Sequence, residues 1–239
     1  IQLLLDDHAN IVWYQKSDTS LSRPFDISSS DSYLSLYNPS LIYKINFIGD
    51  TLLKIDTKRE ILHHELTNDN NNNIIALTYE YKTFDLSNFG GGEKDSIKGD
   101  GLVVYDSSGK LVWKWNVFDH EDPLTYKNIN SLKKDWTHGN GIGVTHDNNY
   151  VLSLRTLNQL WKIDSKSGRI LWKLGLNGNI PIEESSIFYA QHAIHEIGVD
   201  TFLLFDNGTR NERMMSRALI FSMRDNQFKL LHSIELPKD

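Results

Sequence analysis

The 239-residue chain carries 39% hydrophobic and 23% charged residues with a formal net charge of −6, the balance of a soluble globular protein. It offers no basic face for a phosphate backbone, so nucleic acid is excluded as a partner, and no apolar run approaches the roughly 18 residues of a membrane span. With no cysteine, disulfides and thiolate metal sites are excluded as well.

Taken in order, the chain opens inside a strand, Ile1 to Leu5, as the interior of a longer gene product would. Leu3 to Trp13 then reads as a hairpin turning at Asp6-Asp7. Residues 17–40, rich in Ser and Asp, read as a loop over one face. So do 88–101, with Gly90-Gly91-Gly92, and 118–134. The Asn-rich cluster 68–73 reads as a long hairpin turn. The stretch 135–175 holds four short apolar runs separated by Asn, Asp, Ser and Gly turns, the length and layout of one four-stranded propeller blade.

Its second hairpin, Leu160 to Leu174, recurs along the chain. Alignment gives Asp6, Asp56, Asp106, Asp164 and Ser222, at steps of 50, 50, 58 and 58. A period near 50 in a turn-rich all-β chain means propeller blades, because a single blade cannot bury both of its faces. The expected fold is therefore an all-β propeller of four-stranded antiparallel blades, one domain over residues 1–239. It should comprise four nearly complete blades with edge pieces, the ring incomplete and a final blade absent. Trp13, Trp113 and Trp172 are the expected packing between blades.

The first strand of each blade should line the axis. His64, His138 and His192 fall near the start of three blades, with Leu77, Leu152 and Leu204 following 13, 14 and 12 residues on. They are therefore expected to converge. Arg155 ends an otherwise apolar run with no carboxylate at a matching position, so an anionic ligand is its expected partner. A three-histidine metal site competes with this reading, but the nearby guanidinium disfavours a cation. A structural role, with each histidine holding a turn, is the plain alternative. Glu65, Asp135 and Gln191 flank the histidines and could orient them. Asn207 could face the channel mouth, whereas His195 should face away from His192.

These residues together resemble the bacterial arylsulfate sulfotransferases. The resemblance rests on His63-His64-Glu65, on Asp135-Trp136-x-His138-x-Asn140, on Ser153-Leu154-Arg155 and on Gln191-His192. It extends to Phe205-Asp206-Asn207-Gly208 with Ser216-Arg217, and to the Lys162–Gly175 hairpin. It implies a six-bladed propeller that moves a sulfuryl group from an aryl sulfate to a phenol, with no nucleotide donor, cofactor or metal. His192 would be the transiently sulfated residue. His64, His138 and Arg155 would be catalytic, and Asn140, His63 and Asn207 would bind substrate; the doublet leaves His63 or His64 open. The partners implied are small aryl sulfates and phenols, in the periplasm or outside the cell, and self-association is left open. The family's N-terminal β-rich domain and cysteine pair are missing from this sequence. A binding propeller without catalysis is the alternative. A quinoprotein dehydrogenase is a further one, disfavoured because no carboxylate calcium site is in view.

Overall fold

The computed structural model describes residues 2–15, 23–29 and 31–235. A hairpin comes first, β1 (Gln2–Leu5) with β2 (Ile11–Gln15). Four antiparallel four-stranded blades follow. The first is β3 (Arg23–Ser29), β4 (Ser32–Asn38), β5 (Leu41–Asn46) and β6 (Thr51–Asp56). The second is β7 (Leu62–Asn68), β8 (Ile74–Phe84), β9 (Asp95–Tyr105) and β10 (Leu111–Asn116). The third is β11 (Gly139–Val144), β12 (Tyr150–Leu154), β13 (Gln159–Ile163) and β14 (Ile170–Gly175). The fourth is β15 (His192–Gly198), β16 (Thr201–Asp206), β17 (Arg217–Arg224) and β18 (Gln227–Glu235). Each blade pairs its strands in sequence order, and the first strands pack side by side, β3 on β7, β7 on β11 and β11 on β15. The fold is thus the expected all-β arrangement of propeller blades. No helix among the described residues is long and apolar enough to cross a membrane.

Period-2 alternation sends each strand's side chains to two different cores. In β8, Ile74 and Ala76 join Leu34, Leu36 and Val103 between the first and second blades, while Ile75 and Leu77 join Trp115, Leu152 and Trp161 between the second and third. In β12, Leu152 faces that second core, and Val151 faces a third one with Phe202 and Phe221. The blades are therefore held by what lies between them. The tryptophans sit where the repeat placed them: Trp13 against Tyr33 and Phe47, Trp113 against Tyr150, and Trp172 against Phe202.

Three readings of the sequence change. The 17–40 stretch is not a loop: residues 23–29 and 32–38 are β3 and β4, with 17–22 outside the described residues. Serine misled the composition, because Ser32 and Ser35 are buried within the sheet. The 88–101 stretch is a loop only up to Gly92-Glu93-Lys94, and Asp95 begins β9. Gly99 and Gly101 there are not turn residues. A Cβ on Gly99 would stand 2.7 Å from Val117 Cγ1, and one on Gly101 would stand 2.7 Å from the Trp115 carbonyl. The repeat also shifts at Asp56, which closes the fourth strand of its blade. Asn46 holds the equivalent turn: its N–H donates to Asp50 O, as Asp6 donates to Asn10 O and Asp106 to Lys110 O. The corrected positions are Asp6, Asn46, Asp106 and Asp164, at steps of 40, 60 and 58. The fourth blade turns instead through Asp225-Asn226, both with positive φ.

Polar ties supplement the packing. Trp115, buried, donates its indole N–H to Gly168 O at 2.9 Å, joining the second blade to the third. Trp115→Phe keeps an aromatic ring, though a smaller one, leaves that carbonyl without its indole donor, and should lower unfolding free energy by about 1–3 kcal/mol from the lost bond. Urea unfolding should show a lower midpoint at unchanged slope; an unmoved midpoint would mean that the bond contributes nothing.

Candidate active site

The histidines are presented by irregular starts of the inner strands. In β7, His63 pairs with Leu77 but Leu66 with Ala76, so His64 and Glu65 bulge out. His64 and His138 both hold left-handed backbones, φ 51° and 49°, a conformation that costs a non-glycine residue about 1 kcal/mol or more and tends to gather at functional sites. An equivalent backbone bond ties the first two strands within each of three blades: Tyr79 N–H to Ile61 O, Arg155 N–H to His138 O, and Gly208 N–H to Tyr189 O. By these marks His64 and His192 occupy the same blade position, three residues on. His138 lies three residues earlier, in the place of Ile61 and Tyr189, so the expectation of three equivalent histidines holds for two.

His64 and His138 nevertheless meet. The His64 and His138 rings lie 5.2 Å apart between centroids. His63 Nδ1 is 2.8 Å from His64 Nδ1. Its Nε2 is 3.1 Å from Asp100 Oδ1, at ion-pair distance but off the hydrogen-bond line. The His63 ring stacks on Tyr79 at 3.8 Å. Lys98 Nζ sits 4.2 Å over the other partner's ring, that of Tyr79, and pairs with Asp135 Oδ1 at 2.7 Å. Asp135 Oδ2 in turn holds His138 Nδ1. These contacts close a ring: Asp100, His63, His64, His138, Asp135, Lys98, Tyr79 and back to His63.

The electrostatics favour neutral imidazoles at His64 and His192. Burial, then the nearby His63 and His138, push His64 down to about 4. His192 is also lowered, chiefly by burial. The Ala190 carbonyl pulls the other way, and Arg155 and His138 add to the lowering. Burial alone would raise the Asp135 carboxyl, but the bonds from His138 and Lys98 prevail and hold it at about 2.

His192 lies near enough to Arg155 and His138 for their charges to add to its lowering. Its Nδ1 lies 3.1 Å from Ala190 O and 2.8 Å from Asn207 Nδ2, which itself donates to Ala190 O at 2.7 Å. Nδ1 is therefore the anchored nitrogen. Arg155 follows β12 directly, is half-buried, and its guanidinium makes no hydrogen bond or ion pair among the described residues. Asn140 is buried and donates to Gln191 O at 2.8 Å, so it ties the third blade to the fourth, with its own Oδ1 unpaired. His195 is exposed, away from the cluster. Of the flanking residues, Asp135 orients a histidine, Glu65 accepts from Ile142 N–H, and Gln191 bonds Ser153 and Gln159.

Asp100, Lys98 and Tyr79 were not singled out from the sequence. Asp100 sits between two glycines that imitate a turn. The run Ile74 to Phe84, rich in β-branched and aromatic residues and free of Gly and Pro, was the available signal, since a strand that long needs an equally long partner.

A sequence model of the arylsulfotransferase family matches residues 1–227. The chain belongs to the arylsulfotransferase family. No curated protein sequence matches it. Among solved structures, a protein of unknown function from Bacteroides caccae aligns with TM-score 0.54 and 11% identity, over 95% of this chain and 66% of that one. A luciferin-regenerating enzyme aligns at 0.54 and 12%, over 96% and 67%. Virginiamycin B lyase from Staphylococcus aureus aligns at 0.50 and 12%, over 95% and 61%. The arylsulfotransferase-family chain thus spans about two thirds of these chains or less, and at such identities they share its fold alone.

The depressed His64 value sets a pH dependence. The unfolded chain takes up a proton near 6.5 that the folded chain refuses until about 4. Stability should therefore be full above 6.5 and fall as pH drops toward 4. Urea unfolding of wild type and His64→Gln at pH 7 and pH 5 checks it: the variant should lose less over this interval, and equal losses would contradict the assignment.

Proposed function

We propose that this family member is an aryl sulfate–phenol sulfotransferase that works through a sulfated His192. The observation that carries the reading is His192 itself, an imidazole biased to the neutral form near Arg155, whose guanidinium makes no hydrogen bond or ion pair among the described residues. A neutral imidazole is a competent nucleophile near pH 7. With its proton on Nδ1, donated to Ala190 O, His192 has its Nε2 lone pair free to attack the sulfur of an aryl sulfate. The S–O bond breaks and the phenolate leaves. A second phenol then takes the sulfuryl group back from Nε2.

Sulfuryl transfer, like phosphoryl transfer, depends mostly on positioning and on stabilising charge at the equatorial oxygens. Arg155 suits that task, as a planar fork that no carboxylate among the described residues occupies. His138, fixed by Asp135, is placed in this scheme as a donor to the same oxygens. Asn140 would act less directly than the family match suggests, because its amide nitrogen already bonds Gln191 O. Asn207 would govern the His192 tautomer: its amide favours a bare Nδ1, whereas Ala190 O favours a protonated one. A periplasmic or extracellular setting belongs to the same family-based proposal.

Incubation with 4-nitrophenyl sulfate and no acceptor, followed by mass spectrometry of peptides, tests the scheme. Sulfate should appear on the peptide containing His192 and be absent from His192→Ala. Sulfate elsewhere, or turnover without any adduct, would overturn it. The second reading, a binding propeller, draws on the same unpaired Arg155, and it predicts saturable binding of the sulfate ester with no adduct.

Arg155→Lys keeps the charge but loses the fork. The rate of His192 sulfation should fall by an amount equivalent to roughly 2–4 kcal/mol of barrier, with the melting temperature little changed. A destabilised variant that sulfates His192 at the wild-type rate would make Arg155 a strut instead.

A further inference from the structure

The His63–His64 contact contains more information than proximity. Two imidazole nitrogens 2.8 Å apart need one proton between them, so one donates and the other accepts. Asp100 sets the direction. Its carboxylate is 1% exposed; Oδ2 accepts from the Thr137 hydroxyl and, at 2.6 Å, from Gly139 N–H. That leaves Oδ1 facing His63 Nε2 at 3.1 Å. A carboxylate there favours a proton on His63 Nε2, which makes His63 Nδ1 the acceptor and His64 Nδ1 the donor. His64 Nε2 is then bare.

His64 also stands in the wall of a cavity of about 370 Å3 between the first and second blades. Leu36, Pro39, Ile61, Leu62 and the Tyr79 ring line it, together with Asn38 and His63. These walls suit an aromatic ring, and the histidine supplies the polar contact that fixes its orientation.

We propose that Asp100, His63 and His64 form a proton relay, and that an un-ionised phenol acceptor docks in this cavity and gives its hydroxyl proton to His64 Nε2. The proposal rests on sulfuryl transfer from His192. In the acceptor step the phenol oxygen bonds to sulfur. The S–N bond breaks, its electron pair returning to His192 Nε2, and the phenol proton moves to His64 Nε2. The His64 Nδ1 proton passes to His63 Nδ1, so the positive charge comes to rest on His63, between the Asp100 carboxylate and the Tyr79 ring. No other reactant is required. By microscopic reversibility, the same relay returns a proton to the leaving phenolate of a donor.

The relay answers a difficulty that His64 poses alone. Its proton affinity is low, because it is buried and faces His63 and His138. As an isolated base it would be poor. The other titratable groups around it are Asp135 and Lys98 behind His138, Tyr79 beside His63, and Glu65 on its own strand, bonded to Ile142 N–H. None of these is a carboxylate against His63; among the described residues Asp100 is the one that faces it. Moving the charge inward to that pair makes His64 an effective base while leaving it neutral at rest.

The test uses the whole chain, 4-nitrophenyl sulfate as donor and a series of phenols of graded acidity. In wild type the acceptor step should depend weakly on acceptor acidity. In His63→Gln it should fall roughly 100-fold for an ordinary phenol, the scale of general-base catalysis, and far less for a nitrophenol that is already ionised. Asp100→Asn, which keeps the carboxylate's shape, should show the same pattern and replaces His63→Gln if that variant does not fold. Ile61→Ser should raise the acceptor KM with kcat retained. Equal losses across the whole series would make His63 structural and overturn the relay, and an unmoved KM would overturn the docking site. A wild-type chain that never acquires sulfate on His192 would overturn the transfer scheme itself, and the relay with it.

Discussion

The Asp100 carboxylate is the contact on which the site depends. It lies at the start of the apolar half of β9, in the second blade, and it reaches across to Thr137 and Gly139 at the entry to the third. One group thereby fixes the relation between two blades and faces His63. Gly139 is required at the junction, since a Cβ would stand 2.9 Å from Asp100 Cγ. Buried carboxylates contribute favourably only when every lone pair is engaged. Here the two backbone and hydroxyl donors engage one oxygen, and the histidine faces the other.

A second carboxylate, Asp135, plays the matching part for His138, with Lys98 sharing it. Two histidine–carboxylate pairs therefore flank His64, which has no carboxylate of its own. Burial and the two neighbouring histidines hold His64 well below the ordinary imidazole range, the kind of environmental difference that lets residues of one type take different roles. The left-handed backbones of His64 and His138 are the local strain that this arrangement carries, and the apolar cores between the blades hold it in place.

Much of the fold was legible in the sequence, for a physical reason. Blades are built from short alternating strands and Asx-type turns, both local signals, and the inter-blade tryptophans fall at a fixed place in each hairpin. Less legible were β3 and β4, whose buried serines resemble loop composition, and the β8–β9 extension, whose glycines relieve close packing instead of making turns. The site divided along the same line. His64, His138, His192 and Arg155 stand near strand ends, where spacing can find them. Asp100, Lys98 and Tyr79 reach the cluster through the pairing of two long strands, a partnership that local spacing does not reveal. Asn140 shows the converse, since its motif position is met while its amide bridges two blades.

The central claim is that His64 and His192 are neutral at rest, with the His64 proton placed by the groups around it. Nitrogen-15 NMR of the histidine side chains in the free protein at pH 7 tests it most directly. His64 should appear as a neutral imidazole protonated at Nδ1 and bare at Nε2, and His192 as a neutral imidazole. Imidazolium signals for either residue, or a His64 proton found on Nε2 with Nδ1 bare, would contradict the account.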